Sequence, residues 1–181
     1  MRFLKSLLTL TLAAVGASAA AVSPREPAPL VPAALTKRTH CLCQSDVNVL
    51  VAAYTRILTK WDPADAKYLA NSFVDTSDSI NILAGIPLGS VTFPTKQALI
   101  DHETSQPDNL PIQVTFKGPF NCNYISLIWT ATFGAGKPVR GITILGATKT
   151  AGYWQIKSID VEFNSLAFLL DIGGSFKFPG Q

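Results

Sequence analysis

Near residue 106 the hydrophobic period of this chain changes from three-to-four to two, and that switch orders its secondary structure. Upstream, Val47, Leu50, Val51, Tyr54, Ile57 and Leu58 recur at helical spacing, so they share one face of a helix over residues 45–60. Ser45 suits its N-cap. Trp61-Asp62-Pro63 ends that helix and begins a second over residues 64–71, because Asp62 can cap and Pro63 suits a first helical position. Residues 73–90 are rich in short side chains that bond to their own backbone, and are expected as loop. Thr95 caps a third helix, over roughly residues 96–104, which Gln106-Pro107-Asp108-Asn109 breaks. Downstream, Ile112, Val114 and Phe116 alternate with polar neighbours, and residues 123–133, 139–147 and 153–163 have the composition of strands. Helices followed by four antiparallel strands make an α+β fold, with helices on one face of a meander.

The N-terminal 38 residues read differently. Residues 1–21 have the parts of a secretory signal peptide: basic Arg2 and Lys5, an uncharged apolar stretch over 7–15, and small residues at Ala17-Ser18-Ala19 and Ala19-Ala20-Ala21. A membrane anchor needs about 20 apolar residues, more than this stretch offers. Residues 22–38 hold Pro24, Pro27, Pro29 and Pro32 with little to pack, as in a pro-segment or disordered linker. The pair Lys37-Arg38 at its end suits a processing protease, with the mature chain starting at Thr39. Residues 39–181 are then one domain, secreted to the extracellular space and long enough for a single core.

Charge and cysteines exclude several classes. Five of the 15 Lys and Arg and one of the 12 acids lie in residues 1–38, which leaves 10 basic and 11 acidic residues, net −1. No basic stripe remains for nucleic acid. No other apolar run is long enough for a stable membrane anchor. Phosphate loops, dinucleotide fingerprints and the Gly-x-Ser-x-Gly elbow are missing from the sequence, and no cofactor is expected. Cys41, Cys43 and Cys122 are an odd count, which in an oxidising compartment suggests one bridge and one leftover thiol. Cys-Leu-Cys is too short and isolated for zinc, so no metal is expected.

Several stretches together resemble one family. They are Phe73-Val74-Asp75-Thr76-Ser77-Asp78-Ser79-Ile80-Asn81, Gly85-Ile86-Pro87-Leu88-Gly89 with Thr92-Phe93-Pro94, Gly141-Ile142, Val161-Glu162-Phe163-Asn164-Ser165 and Asp171-Ile172-Gly173-Gly174. In this order they resemble the secreted fungal proteins of the nuclear transport factor 2-like superfamily, over nearly all of residues 41–175. The resemblance implies a cone: three N-terminal helices packed on a strongly curved antiparallel sheet, with a cavity at the open end. Relatives include steroid isomerases, scytalone dehydratase and polyketide cyclases beside plain binding and dimerisation domains, so it implies no single activity. The partners it implies are a small apolar molecule in the cone and a second copy through the sheet. It also places the N-terminal cysteines near Cys122, with Cys43–Cys122 the expected bridge and Cys41–Cys122 the alternative.

Within that frame, Asp78 is the first candidate for a catalytic acid or base, ahead of Asp75, since a carboxylate in an apolar pocket has a raised pKa. The competing role is a turn-forming aspartate, which Ser77 and Ser79 favour. His102 is a candidate partner, against an ordinary exposed helix histidine. Asp160 and Glu162 share a strand face with Trp154, Ile156 and Ser158 by period two. Such a face suits a greasy cavity with polar groups at its mouth, or a strand end leaving the core. The expected pocket is walled by Phe73, Phe93, Trp129 and Ile156, with Asp78, Arg140, Asp160 and Glu162 about its rim. A three-residue loop at Thr150-Ala151-Gly152, expected because Gly152 suits its left-handed position, sets Arg140 across from Glu162 as an ion pair, whereas a two-residue loop turns the two charges to opposite faces. Three functions follow: binding of a small apolar ligand, a cofactor-free lyase or isomerase acting on a small cyclic or polyketide-like substrate, or a structural or effector-type dimer with a filled core. Two or more carboxylates or histidines pointing inward favour the enzyme. A lone polar group favours binding, and a filled core favours the dimer.

Overall fold

The apolar stripe of the first helix finds its partner on the inner face of a six-stranded sheet. In the computed structural model the described residues are 41–106, 110–134, 136–177 and 180. The expected signal peptide, linker and Lys37-Arg38 site lie outside them. Helix α1, Gln44–Thr59, buries Val47, Leu50, Val51, Tyr54 and Ile57 of the predicted face, and Leu58 packs against them partly buried. Its N-cap is Cys43 rather than Ser45. A 3-10 turn, Pro63–Tyr68, follows, and the Asp62 side chain accepts from Ala64 N at 2.8 Å as its cap. Arg56 grips Asp65 through Nε and Nη2 at 3.1 and 2.7 Å, tying this turn back to α1.

From here the structure departs from the expected α-helix and loop. Leu69–Thr76 is a strand, β1, and Asp78–Ala84 a short helix, α2. Strand β2, Val91–Phe93, and helix α3, Lys96–Ser105, follow, with Thr95 Oγ1 capping α3 through Ala98 N. The four predicted strands appear as β3, Gln113–Phe120; β4, Tyr124–Ala131; β5, Val139–Thr150; and β6, Tyr153–Phe163. A last helix that the periodicity did not suggest, α4, Ser165–Asp171, is capped by Asn164.

The sheet order is β2-β1-β6-β5-β4-β3. It is antiparallel except where β1 runs parallel to β6, so β1 and β2 extend the four-strand meander beyond β6. Register shifts interrupt the β1–β6, β3–β4 and β5–β6 ladders, and such bulges bend a sheet. The result is a curved α+β sheet around helices, the expected cone class. The core joins α1 to the inner residues of β4, β5 and β6, including Leu127, Leu145, Ile156 and Ile159.

Two expectations are corrected. The bridge is Cys41–Cys122, not Cys43–Cys122. Cys43 is held at the start of α1, where its N–H and Sγ both reach Asp46 Oδ2, at 3.0 and 2.9 Å. Leu42 N donates to Cys122 O at 3.2 Å and lays Cys41 against Cys122, with Cα atoms 3.9 Å apart. The β5–β6 hairpin turns on two residues, with Thr150 paired to Tyr153. Ala151 and Gly152 both have positive φ, 51° and 90°, the combination that suits the twist of a tight hairpin. Ala147 pairs with Ile156 but Gly146 with Ser158, so Lys157 is an extra residue. Glu162 therefore stands across from Ile142, and Arg140 beyond it, where its carbonyl accepts from Asn164 N at 3.2 Å. The Arg140 and Glu162 side chains form no ion pair.

Peptide mapping without reductant is expected to join Cys41 to Cys122 and to find Cys43 open to alkylation. Cys122→Ser should cost about 3–5 kcal/mol in denaturant unfolding, because the bridge closes a long loop.

Candidate functional site

Inside the curve of the sheet is a cavity of about 260 Å³. Tyr54 and Leu58 of α1, Leu99 of α3, Trp129 of β4 and Ile159 and Val161 of β6 wall it, and Phe133, Phe163 and Phe168 line it from beside α4. Two hydroxyls stiffen its floor. The Thr143 hydroxyl lies 2.9 Å from the Tyr54 hydroxyl and accepts from Trp129 Nε1 at 3.0 Å. The Trp129 ring lies flat over Gly141 of β5, so close that a Cβ there would collide with it. Burial pushes the Tyr54 phenol pKa up, so Tyr54 remains neutral.

Polar groups enter this apolar space from β1 and α3. Asp75 follows Phe73 at period two, so both side chains point to the inner face. Asp75 is 4 % exposed, lines the cavity, and its Oδ1 has no hydrogen-bond partner. Burial first, then the nearby charges of Asp160 and Glu103, push its pKa up to about 8. Glu103, also buried and lining the cavity, is pushed up to about 7 by burial. His102 sits on the rim, its ring 4.9 Å from that of Phe93, and burial holds its pKa below the usual histidine range.

The predicted site residues separate into two sets. Phe93, Trp129 and His102 line the cavity, and so does Asp75, which ranked behind Asp78. Phe73 and Ile156 are fully buried in the core and do not line it. Asp78, Arg140, Asp160 and Glu162 lie outside it, the last two for one physical reason. The extra residue Lys157 reverses the strand's alternation, so Ile159 and Val161 are buried while Asp160 and Glu162 are exposed. Glu162 instead accepts from Asp78 N and Ser79 N at 2.7 and 2.9 Å, and from the Ser79 hydroxyl, which pins the start of α2 to β6. A carboxylate on free helix N–H groups is a favourable charge-assisted cap. Asp78 closes the next loop, with Oδ1 accepting from Gly89 N at 2.6 Å. This is the turn-forming role that its serine neighbours favour.

Glu103 was not among the sequence candidates. Its position four residues after Leu99 puts it on the inner face of α3, and that spacing was the available signal. The same test places Asp75 ahead of Asp78, through its alternation with Phe73.

Comparison with known proteins agrees with the architecture. A family model of the NTF2-like domain matches residues 40–175. A Kribbella flavida protein provisionally assigned as a ketosteroid isomerase superposes with a TM-score of 0.50 at 10 % identity, over 76 % of this chain and 84 % of its own. A ketosteroid isomerase-like protein from Erwinia carotovora atroseptica gives 0.44 at 14 % identity, over 66 % and 94 %. An NTF2-like protein of unknown function from Shewanella baltica gives 0.47 at 12 %, over 66 % and 92 %. No curated protein matches the chain. At these identities the likeness is one of fold.

Glu162→Ala should destabilise the protein by about 0.5–2 kcal/mol, as loss of a helix cap does, measured by urea unfolding. Asp75 bears on pH dependence. Its folded pKa, about 8, stands above the usual carboxyl value of 3.8, so the folded state holds the proton more tightly. Its contribution to stability is present at low pH and is lost as pH rises between those values. Asp75→Asn is therefore expected to match the parent at about pH 4 and to exceed it by at least about 1 kcal/mol at about pH 8, in unfolding titrations at the two pH values.

Proposed function

The chain belongs to the NTF2-like domain family, and from that premise we propose that it binds a small, largely apolar molecule in its cavity, with Asp75 as the polar anchor. The observation that carries this is the unpartnered Oδ1 of Asp75, a lining residue of a cavity walled mainly by aromatic and aliphatic groups. A buried polar atom without a partner costs about 1–3 kcal/mol, and a ligand that bonds to it recovers that cost. Cavities with apolar walls and a few converging polar groups are the usual form of small-molecule sites. We place the activity outside the cell. The Cys41–Cys122 bridge suits an oxidising compartment, and among the described residues no helix is long and apolar enough to cross a membrane.

A second reading adds chemistry to that binding: Asp75, Glu103 and His102 all line the cavity, which meets the condition of two or more inward carboxylates or histidines and favours a cofactor-free isomerase or lyase on a small cyclic or polyketide-like substrate. A carboxyl poised near neutral pH can take a proton from one atom of a bound substrate and return it to another. In this reading Asp75 carries the proton, and Glu103 and Asp160 help to set its pKa.

Native mass spectrometry of protein recovered from culture medium is expected to show a non-covalent small molecule. Ile112→Trp, which fills the cavity from one wall, should abolish it. Protein that arrives empty and takes up no apolar compound would overturn the binding reading.

A further inference from the structure

The cavity contains acids and, among its described lining residues, no lysine or arginine. Asp75 and Glu103 share it with the aromatic residues Tyr54, Phe93, Trp129 and Phe133. A carboxylate removed from water needs a proton or a cation. Aromatic faces attract cations, and an ammonium group between ring and carboxylate gains from both. Asp75 lines this space, and its buried Oδ1 has no hydrogen-bond partner.

Resting on the binding reading above, we infer that the cavity takes a small, otherwise apolar amine in its ammonium form, whose N–H groups meet Asp75 Oδ1 while its hydrocarbon part lies against the aromatic walls. The groups that face Asp75 agree with this. Tyr54 comes from α1 and His102 and Glu103 from α3, while Asp160 of the neighbouring β6 acts on Asp75 from the sheet's other face. None supplies a positive charge near neutral pH, since burial holds the His102 pKa below the usual histidine range. Phe93, paired with Asp75 from β2, brings no charge. In the empty protein Asp75 is protonated below about pH 8. An incoming ammonium takes the place of that proton: the carboxyl O–H breaks, the proton leaves to water, and the carboxylate pairs with the guest.

The test uses three probes of one shape, 1-naphthylmethylamine, 1-naphthylmethanol and 1-naphthoate, titrated by calorimetry in buffers of different ionisation enthalpy. The amine should bind at least about tenfold more tightly than the alcohol, as a buried ion pair against a neutral hydrogen bond. Its affinity should rise by up to about tenfold per pH unit between about pH 6 and pH 8, with release of about one proton. The alcohol should show no such rise, and the naphthoate should bind weakest. Asp75→Asn should remove the preference and the pH slope while still binding the alcohol. The comparison in the parent chain needs no variant. Alcohol or naphthoate binding as tightly as the amine, or amine binding without proton release, would overturn the inference and leave small-molecule binding standing. If none of the three binds, both fall.

Discussion

The single extra residue Lys157, opposed by nothing in β5, determines what the rest of β6 faces. Ahead of it Trp154 and Ile156 are buried; after it Ile159 and Val161 are buried and Asp160 and Glu162 point away. Without the insertion, period two would carry the two carboxylates toward α1 and the core, where unpaired charge is costly. Because β6 lies between β5 and β1, the consequence spreads. Asp75 pairs with Ile159 in the parallel ladder and so shares the inner side. Glu162, sent outward, meets the start of α2 and fixes it. One inserted residue thus places both the acid inside the cone and the anchor outside it.

The interior is not optimised for stability. An open cavity forgoes packing contacts, and two buried carboxyls among apolar walls favour their neutral forms against solvent. Around that soft centre the chain is held firmly. Thr143 links α1 to two strands through Tyr54 and Trp129. Asn81 and Thr92 stitch α2 to β2, and the bridge clips the start of α1 to the turn before β4. Local concessions surrounded by consistent structure are what a binding or reacting site looks like.

How much was legible follows from which signals are local. The stripe on α1, the cap at Thr95 and the strand composition of β4 and β5 depend on neighbours within a few residues, and all appear where the local sequence puts them. Strand β1 was missed because its pattern is short and its serines and aspartates read as turn formers; what makes it a strand is β6, far along the chain. Asp75 and Asp78 are chemically alike in sequence and differ only in the side they face. The period-two argument for Asp160 and Glu162 was sound up to Lys157 and failed there, since a bulge leaves little trace in composition. For the cysteines, choosing between Cys41 and Cys43 required the first residue of α1.

Gly141 shows how capacity can be set from behind. It does not line the cavity; it lies beneath Trp129, and the missing methyl lets the indole settle back against β5. The depth of the cavity is therefore inherited from a neighbouring strand's backbone. A side chain at 141 would lift the ring into the cavity, so a chain that gained one would have to exchange the indole for a smaller ring or keep a smaller cavity. Cavity size is thereby open to revision at a position that does not line it, independently of the acids inside.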